Sequence, residues 1–257
     1  MNKIFYDLHI HTCLSPCADD DMTPANIAMM AKEICGLDVI AITDHNSSKN
    51  CRAVTSAGQK IGLKVISGME LCTNEEIHCV CLFKDTDTAE AFSEHIYDLI
   101  PKIENRPEIF GSQLIMDEND NITGNENILL TNAANIGIYG AVKLVASFGG
   151  FIFPAHIDRP SMGILSSLGS FPSDLGFSCY ETTGHTDIDL LKKKHPVLQS
   201  LKRLTNSDAH NLEKINEREN FLFSPSLDIS DIITYTSEAS PYARQEARRT
   251  SRPSDQL

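Results

Sequence analysis

The sequence predicts an α/β fold in which a parallel sheet or barrel is wrapped by crossover helices. Three observations carry that expectation. Short β-branched runs alternate with stretches of helical periodicity, the rhythm of strand–helix–strand units. A chain of 257 residues fits one large domain or one barrel and is long enough to bury a full core. Apolar runs end, one after another, in turns that carry histidine, aspartate or glutamate. The C-terminal ends of strands are where α/β barrels build their sites.

Strand candidates fall at 4–9, 37–43, 63–69, 77–83, 151–155, 177–181 and 203–206. The first helix has Thr23 as N-cap and Pro24 in its first position; Ile27, Met30, Ala31 and Ile34 recur at helical spacing, and Gly36 ends it. Gly58 and Gly62 punctuate the next crossover, before Leu63-Lys64-Val65-Ile66. Residues 84–150 break the rhythm. A helical stretch over about 87–104 precedes Gln113-Leu114-Ile115-Met116, a polar turn through Asn119-Asp120-Asn121, and a helix near 133–147. This inserted hairpin and helix reads either as a lid or specificity element or as a surface excursion. Residues 240–257, rich in Arg, Ser and Pro without apolar periodicity, read as a mobile tail whose arginines (244, 248, 249, 252) are solvated or touch an acidic partner. With no internal repeat, residues 1–239 are expected to form a single domain.

Composition is that of an ordinary globular protein, 41% hydrophobic and 22% charged, without Trp. A formal charge of -13 argues against a basic groove that tracks a nucleic-acid backbone, so a long nucleic acid is not the expected partner. A small anion stays possible, because bound metal ions reverse the sign locally. There is no signal-peptide pattern and no apolar run near the roughly 20 residues that span a bilayer, so a cytoplasmic protein without a membrane partner is expected. The eight cysteines (13, 17, 35, 51, 72, 79, 81 and 179) then read as free thiols. Neither Cys13-x-x-x-Cys17 nor Cys79-x-Cys81 has paired CxxC spacing, and strand alternation puts Cys79 and Cys81 opposite His78. Small buried residues are the first reading for them, and metal ligands the second.

The candidate site begins with His9 and His11 in Asp7-Leu8-His9-Ile10-His11-Thr12. Residues two apart share a face of a strand, so both imidazoles reach toward one ion. Asp208 and His210 repeat the spacing at the end of the last strand candidate, which in a closed barrel lies beside the first. His45 follows Ile42-Thr43-Asp44, Glu70 closes Ser67-Gly68-Met69, His78 opens the next strand, and His156 follows Phe153-Pro154-Ala155. Any one buried histidine is ordinarily satisfied by a backbone carbonyl; six at strand ends point to a multinuclear metal site. The run Asp19-Asp20-Asp21 either supplies favourable charge before a helix N-terminus or turns one carboxylate into the site.

These motifs, Asp7-Leu8-His9-Ile10-His11, Thr43-Asp44-His45, Gly68-Met69-Glu70, His78, Pro154-Ala155-His156 and Ser207-Asp208-Ala209-His210, resemble those of the PHP (polymerase and histidinol phosphatase) metal-dependent phosphoesterases. The likeness runs from about residue 4 to 230. It implies a distorted (β/α)7 TIM-like barrel, with 84–150 as an insertion, holding up to three divalent ions. By that analogy one ion takes His9, His11 and Asp208, with Glu70 bridging to a second that adds His78 and His156. The third takes Asp19, His45 and His210, with Asp20 left open as the alternative to Asp19.

Six imidazoles and three carboxylates without thiolate suit zinc, manganese or iron and do not suit an all-oxygen calcium or magnesium site. Three dications against three carboxylates leave about three net positive charges, which would draw in a phosphate. Asp208, His210 and Arg159 are the residues expected to carry catalysis; Arg159 reads as a bidentate phosphate clamp or as a plain loop arginine. Asp7 and Asp44 read as orienters of ligand histidines or as strand-end aspartates. Glu181 and His185 are weaker candidates near a strand end, and His95 and His195 read as surface residues. The expected function is hydrolysis of a small phosphorylated metabolite of the nucleotide or histidinol-phosphate type, by a metal-bridged hydroxide, with release of inorganic phosphate. The alternatives are a single-strand 3'-5' exonuclease and a non-catalytic metal-binding module.

Overall fold

A computed structural model describes residues 1–232; the expectation for the tail at 240–257 lies outside the described residues. Its first half runs β1 (Asn2–Ile10), α1 (Pro24–Met29), β2 (Val39–Ile42), α2 (Cys51–Lys60), β3 (Lys64–Cys72) and β4 (His78–Leu82). The insertion contributes α3 (Thr86–Leu99), α4 (Pro107–Phe110), the hairpin β5 (Leu114–Met116) and β6 (Ile122–Asn125), and α5 (Ile138–Ser147). There follow β7 (Phe151–Pro154), α6 (Ile164–Leu168), β8 (Cys179–Thr182), α7 (Ile188–Lys194), β9 (Lys202–Thr205) and β10 (Phe221–Ser224).

The fold is mixed α/β, with a curled sheet in the order β10-β1-β2-β3-β4-β7. β1, β2 and β3 are parallel, as expected. β10, β4 and β7 each run antiparallel to a neighbour, which departs from the all-parallel expectation. The reason is the link from β3 to β4, which spans only residues 73–77. A chain that short makes a hairpin and leaves no room for a crossover helix. β8 and β9 form a separate parallel pair. That pair fills the gap between β7 and β1: Ile157 N–H donates to Glu181 O at 2.9 Å, and Ile10 bridges to Ala209 just beyond β9. The strand β10, absent from the sequence reading, pairs with the other edge of β1.

The inner face of the curl is filled by Ile4, Tyr6, Leu8, Val39, Ala41, Ile66, Val80, Leu82, Phe153 and Leu204. Ile10, Ile40 and Ile42 instead pack outward among the helix residues Ile27, Ala31 and Val54. Strict alternation would put Leu8 and Ile10 on one face; the register irregularity between Asp7 and Ile10 separates them. Cys79 and Cys81 lie in the outer cluster under α3 and α5, on the face opposite Val80 and Leu82. All eight cysteines are free, and seven are buried, Cys17 being the exposed one.

Helix α1 starts at Pro24 after Thr23 and widens into a π-helical turn over Met30–Ile34, with Gly36 beyond it at φ +68°. Thr23 makes no side-chain cap bond of its own. Asp120, from the tip of the inserted hairpin, does the capping: it accepts from Thr23 Oγ1 at 2.7 Å and from Ala25 N at 2.8 Å. The hairpin therefore lies against the loop that follows β1. None of the described helices is long and apolar enough to cross a membrane.

Candidate metal centre

All of the histidine-bearing turns reach one rim of the curled sheet. β1, β2 and β3 deliver His9, His11, His45 and Glu70 at their C-terminal ends. β4 runs the other way, so its first residue, His78, arrives at the same rim. His156 follows β7, and Asp208 and His210 follow β9. His156 (φ +26°) and Asp208 (φ +51°) hold left-handed backbone, a conformation that costs a non-glycine residue on the order of 1–3 kcal/mol and clusters at functional sites.

Glu70, 1% exposed, is the hub. Its Oε1 lies 2.9 Å from His78 Nδ1, 3.0 Å from His156 Nε2 and 3.2 Å from His9 Nε2. Its Oε2 lies 3.0 Å from His45 Nδ1 and 3.5 Å from His11 Nε2. Asp208 Oδ1 stands 3.1 Å from His11 Nε2 and 3.3 Å from His9 Nε2. Three sets of ligand atoms are close enough to share an ion: His9, His11, Glu70 and Asp208; His45, Glu70 and His78; and His11, His45 and His210.

The hydrogen bonds around the rim fix which ring nitrogens point inward. Glu181 accepts from His9 Nδ1 with both oxygens at 3.1 Å, which leaves the His9 Nε2 lone pair facing the cluster. Ser15 Oγ donates to Asp44 at 2.7 Å, so it accepts from His11 Nδ1 at 2.9 Å and leaves the His11 Nε2 lone pair inward as well. These two Nε2 atoms are 3.2 Å apart, beside carboxylate oxygens of Glu70 and Asp208. His45 Nδ1 and Asp208 Oδ1 are buried and lack a well-formed hydrogen bond. Imidazole nitrogens and carboxylates pressed together this closely need a cation between them, a proton on His9 Nε2 when no ion is bound, and the donor set fits a divalent metal.

Electrostatics agree. Burial pushes the Glu70 carboxyl up, but the facing His78 and His9, with a hydrogen bond from His156 and the close approach of His45, hold it well below the usual range. Asp208 is likewise held low against burial by His9 and His11. Burial would make His9 harder to protonate; Glu181, Asp208 and Glu70 overcome it and push it well above its ordinary value. His78 is raised to about 10 when Glu70 outweighs its burial. His11 goes the other way, lowered by burial and by His210 and His45.

The two aspartates expected to orient histidines act indirectly. Asp7 accepts from the backbone N–H of Ser207 and of Asn216, both at 3.0 Å, and so fixes the loop that carries Asp208. Asp44 takes Thr12 N at 2.7 Å, Thr12 Oγ1 at 2.8 Å and Ser15 Oγ, reaching His11 only through the serine. Burial raises both carboxyls to about 6. The direct orienter is Glu181, which also accepts from His156 N at 3.0 Å and Asn206 Nδ2 at 2.6 Å. Asn206 and Ser15 were not singled out from the sequence.

Arg159 pairs with Asp208 Oδ2 at 2.7 Å and lines a cleft of about 380 Å³ with His185, Lys214, Asn211, Asn216 and Thr183. His210 donates from Nδ1 to Asp208 O at 2.8 Å. Asp19 and Asp20 are exposed, and neither is in the three ligand sets; the backbone N–H of Asp19 donates to His210 O at 2.8 Å, which puts the residue beside that histidine. His95 is exposed and His195 half-buried, both outside the three sets.

A curled α/β sheet whose rim gathers six histidines around a buried glutamate defines a metal-binding class of domain. The chain belongs to the PHP domain family, whose model matches residues 7–151. An uncharacterized protein of Methanocaldococcus jannaschii is 33% identical over 95 residues, 34% of this chain and 54% of that protein. Among solved structures, the lesion-specific endonuclease PfuEndoQ of Pyrococcus furiosus matches with TM-score 0.67 and 18% identity, over 93% of this chain and 57% of that one. An endonuclease Q complex with a 27-mer duplex, its abasic lesion at the active site, gives the same TM-score at 17% identity, over 93% and 58%. A Bifidobacterium adolescentis protein assigned to the metal-dependent phosphoesterases matches with TM-score 0.58 and 16% identity, over 93% of this chain and 98% of that one. At such identities the likeness shows the shared fold. The chain spans about half the length of the curated relative and of the endonuclease chains.

Proposed function

We propose that the chain is a metal-dependent phosphoesterase acting on a small phosphorylated metabolite of the nucleotide or histidinol-phosphate type. In this reading residues 1–239 are one distorted (β/α)7 barrel domain of a cytoplasmic protein. One observation carries the reading: two imidazole nitrogens, His9 Nε2 and His11 Nε2, meet at 3.2 Å between the carboxylates of Glu70 and Asp208.

His9, His11, Glu70 and Asp208 would hold one divalent ion, Glu70, His78 and His156 a second, and His45 and His210, with Asp19 beside them, a third. Bound zinc, manganese or iron would supply a water of lowered pKa and positive charge for the phosphate oxygens. Glu181 and Ser15 take the Nδ1 protons of His9 and His11, so that the Nε2 atoms of both rings point inward toward an ion. Arg159, beside Asp208 at the mouth of the cleft, takes a phosphate oxygen in its guanidinium fork. Lys214 adds positive charge to the same cleft, which His185 also lines and whose volume falls within the range of small-molecule pockets.

A second reading, nuclease action, is supported by the match of 93% of the chain to endonuclease Q. The test joins metal analysis of the purified protein to a cleavage panel of nucleoside monophosphates, bisphosphates, histidinol phosphate, a single-stranded oligonucleotide and a duplex with an abasic site. Phosphate release from the small esters is the expected outcome. Cleavage confined to the oligonucleotides replaces the first reading with the second. Absence of both bound metal and cleavage overturns both.

A further inference from the structure

Asn50 occupies the N-cap of α2, yet its side chain makes no cap bond to that helix. An asparagine there ordinarily accepts from a backbone N–H of the first turn. Here the amide is completely buried and turned the other way. Its Nδ2 donates to Thr12 Oγ1 at 2.9 Å and to Leu114 O at 3.0 Å, and its Oδ1 accepts from Met116 N at 3.0 Å. Both donors and the acceptor are thus spent joining the inserted hairpin to the loop after β1.

The chain of bonds continues inward. Thr12 Oγ1, accepting from Asn50, donates its own proton to Asp44 Oδ2 at 2.8 Å. Asp44 Oδ1 accepts from Ser15 Oγ, and Ser15 Oγ accepts from His11 Nδ1. Thr12, Ser15, Asp44, Asn50 and His11 are each fully buried, so water does not substitute for a missing member. The direction of every bond is set by its neighbours, and the last one decides which nitrogen of His11 faces the ions.

We propose that Asn50 is a positioning residue for the metal centre. Through the relay Asn50–Thr12–Asp44–Ser15 it couples the register of the inserted hairpin to the orientation and tautomer of His11. The hairpin then belongs to the scaffold of the metal site and is not a lid that moves independently of it. This inference rests on the metal-centre reading given above. It goes beyond that reading by assigning a role to a residue outside every ligand set.

Manganese titrations into the metal-stripped full chain test it, with thermal melts as the reference for folding. Asn50→Ala and Thr12→Val should each weaken manganese binding roughly tenfold or more, the scale on which partners of ligand histidines act. The double variant should be no weaker than the worse single variant, because both break one relay. Arg52→Ala, in the first turn of α2, which removes an exposed ion pair with Glu90 and Asp87 of α3, should leave the affinity unchanged. If Asn50→Ala does not fold, Asn50→Asp carries the test, since it keeps the acceptor for Met116 N and loses both donors. Unchanged affinity in the single variants, or additive losses in the double variant, overturns the relay. A wild-type chain that binds no manganese, zinc or iron overturns the metal-centre reading itself, and that result is distinct from the first.

Discussion

Both carboxylate oxygens of Glu181 sit 3.1 Å from Nδ1 of His9 and take the proton of that nitrogen. The carboxylate also accepts from His156 N and Asn206 Nδ2. One side chain therefore orients a ligand ring, the backbone before a second ligand ring, and the loop that leads to Asp208. Glu181→Gln keeps the shape but replaces one acceptor with a donor that opposes the protons it should receive. The variant is expected to bind manganese or zinc about 10–100-fold more weakly, with a smaller loss of thermal stability. Titration calorimetry checks it, and wild-type affinity in this variant would remove Glu181 from the role.

Metal binding is expected to release protons at pH 7. Without an ion, Glu181, Asp208 and Glu70 hold His9 protonated against its burial, and Glu70 does the same for His78, raised to about 10. His11 and His45 are lowered, chiefly by burial, and are already neutral. A metal ligand must present a neutral nitrogen, so His9 and His78 give up as many as two protons, and affinity rises as pH rises from 6 to 8. Calorimetry in buffers of different ionisation enthalpy counts the protons. A count of zero would show that the histidines enter the site already neutral.

The candidate ligand residues were legible in the sequence because metal ligation demands particular residue types at strand ends. His9, His11, His45, Glu70, His78, His156, Asp208 and His210 could be picked out that way, and the structure gathers all of them. The residues that hold them in place carry no such signature. Glu181 was only a weak candidate and Ser15 and Asn206 were not picked out, because a hydrogen-bond partner is defined by where it lands. Topology was legible where connections were long. The antiparallel turn between β3 and β4 lay in the five residues 73–77, whose brevity rules out a crossover, while β10 (Phe221–Ser224), which no histidine or carboxylate directly follows, was not picked out. The Asp120 cap on α1 joins residues 95 and 97 apart in sequence, beyond the reach of any local pattern.

Gly111 holds the insertion against the loop after β1. Its φ is +100°, and a Cβ there would meet Pro16 O at 1.9 Å. Neither strain is relieved by a side-chain move, since the obstacle is backbone. Gly111→Ala is expected to cost about 1–3 kcal/mol of stability. Urea unfolding measures it, and an unchanged midpoint would show that the loop and the insertion part without cost.

Acid should loosen the same insertion through Glu126. Burial pushes this carboxyl up, but Lys49, the backbone N–H of Ile128 and Tyr97 bring it below its ordinary value of 4.5. A depressed carboxyl contributes stability that is full above its unfolded value and is lost as pH falls through the lower folded one. Lys49 is 41% exposed, so solvent screens part of the pairing and the effect is modest. Melting temperature should fall on acidification below roughly pH 4.5, and Glu126→Gln should flatten that slope. Parallel slopes in the two proteins would place the acid response elsewhere.

Arg159→Ala is expected to separate binding of substrate from binding of metal. The Arg159 guanidinium meets Asp208 Oδ2 at 2.7 Å, on the side away from the imidazoles that face Oδ1. Removing it leaves Asp208 more electron-rich toward an ion, so metal content should be undiminished in Arg159→Ala. A phosphate oxygen, by contrast, loses a charged hydrogen bond worth about 1.5–3 kcal/mol. That corresponds to a loss of roughly 10–100-fold in kcat/KM, carried mainly by KM if the contact is the same in the ground and transition states. Arg159→Lys should recover only part of it, because an ammonium lacks the planar fork. Kinetics on the ester cleaved fastest, paired with metal analysis of each variant, distinguishes the outcomes. A variant that lost its metal would make Arg159 a support of the ion site, and one with wild-type kcat/KM would make it a loop arginine paired with Asp208.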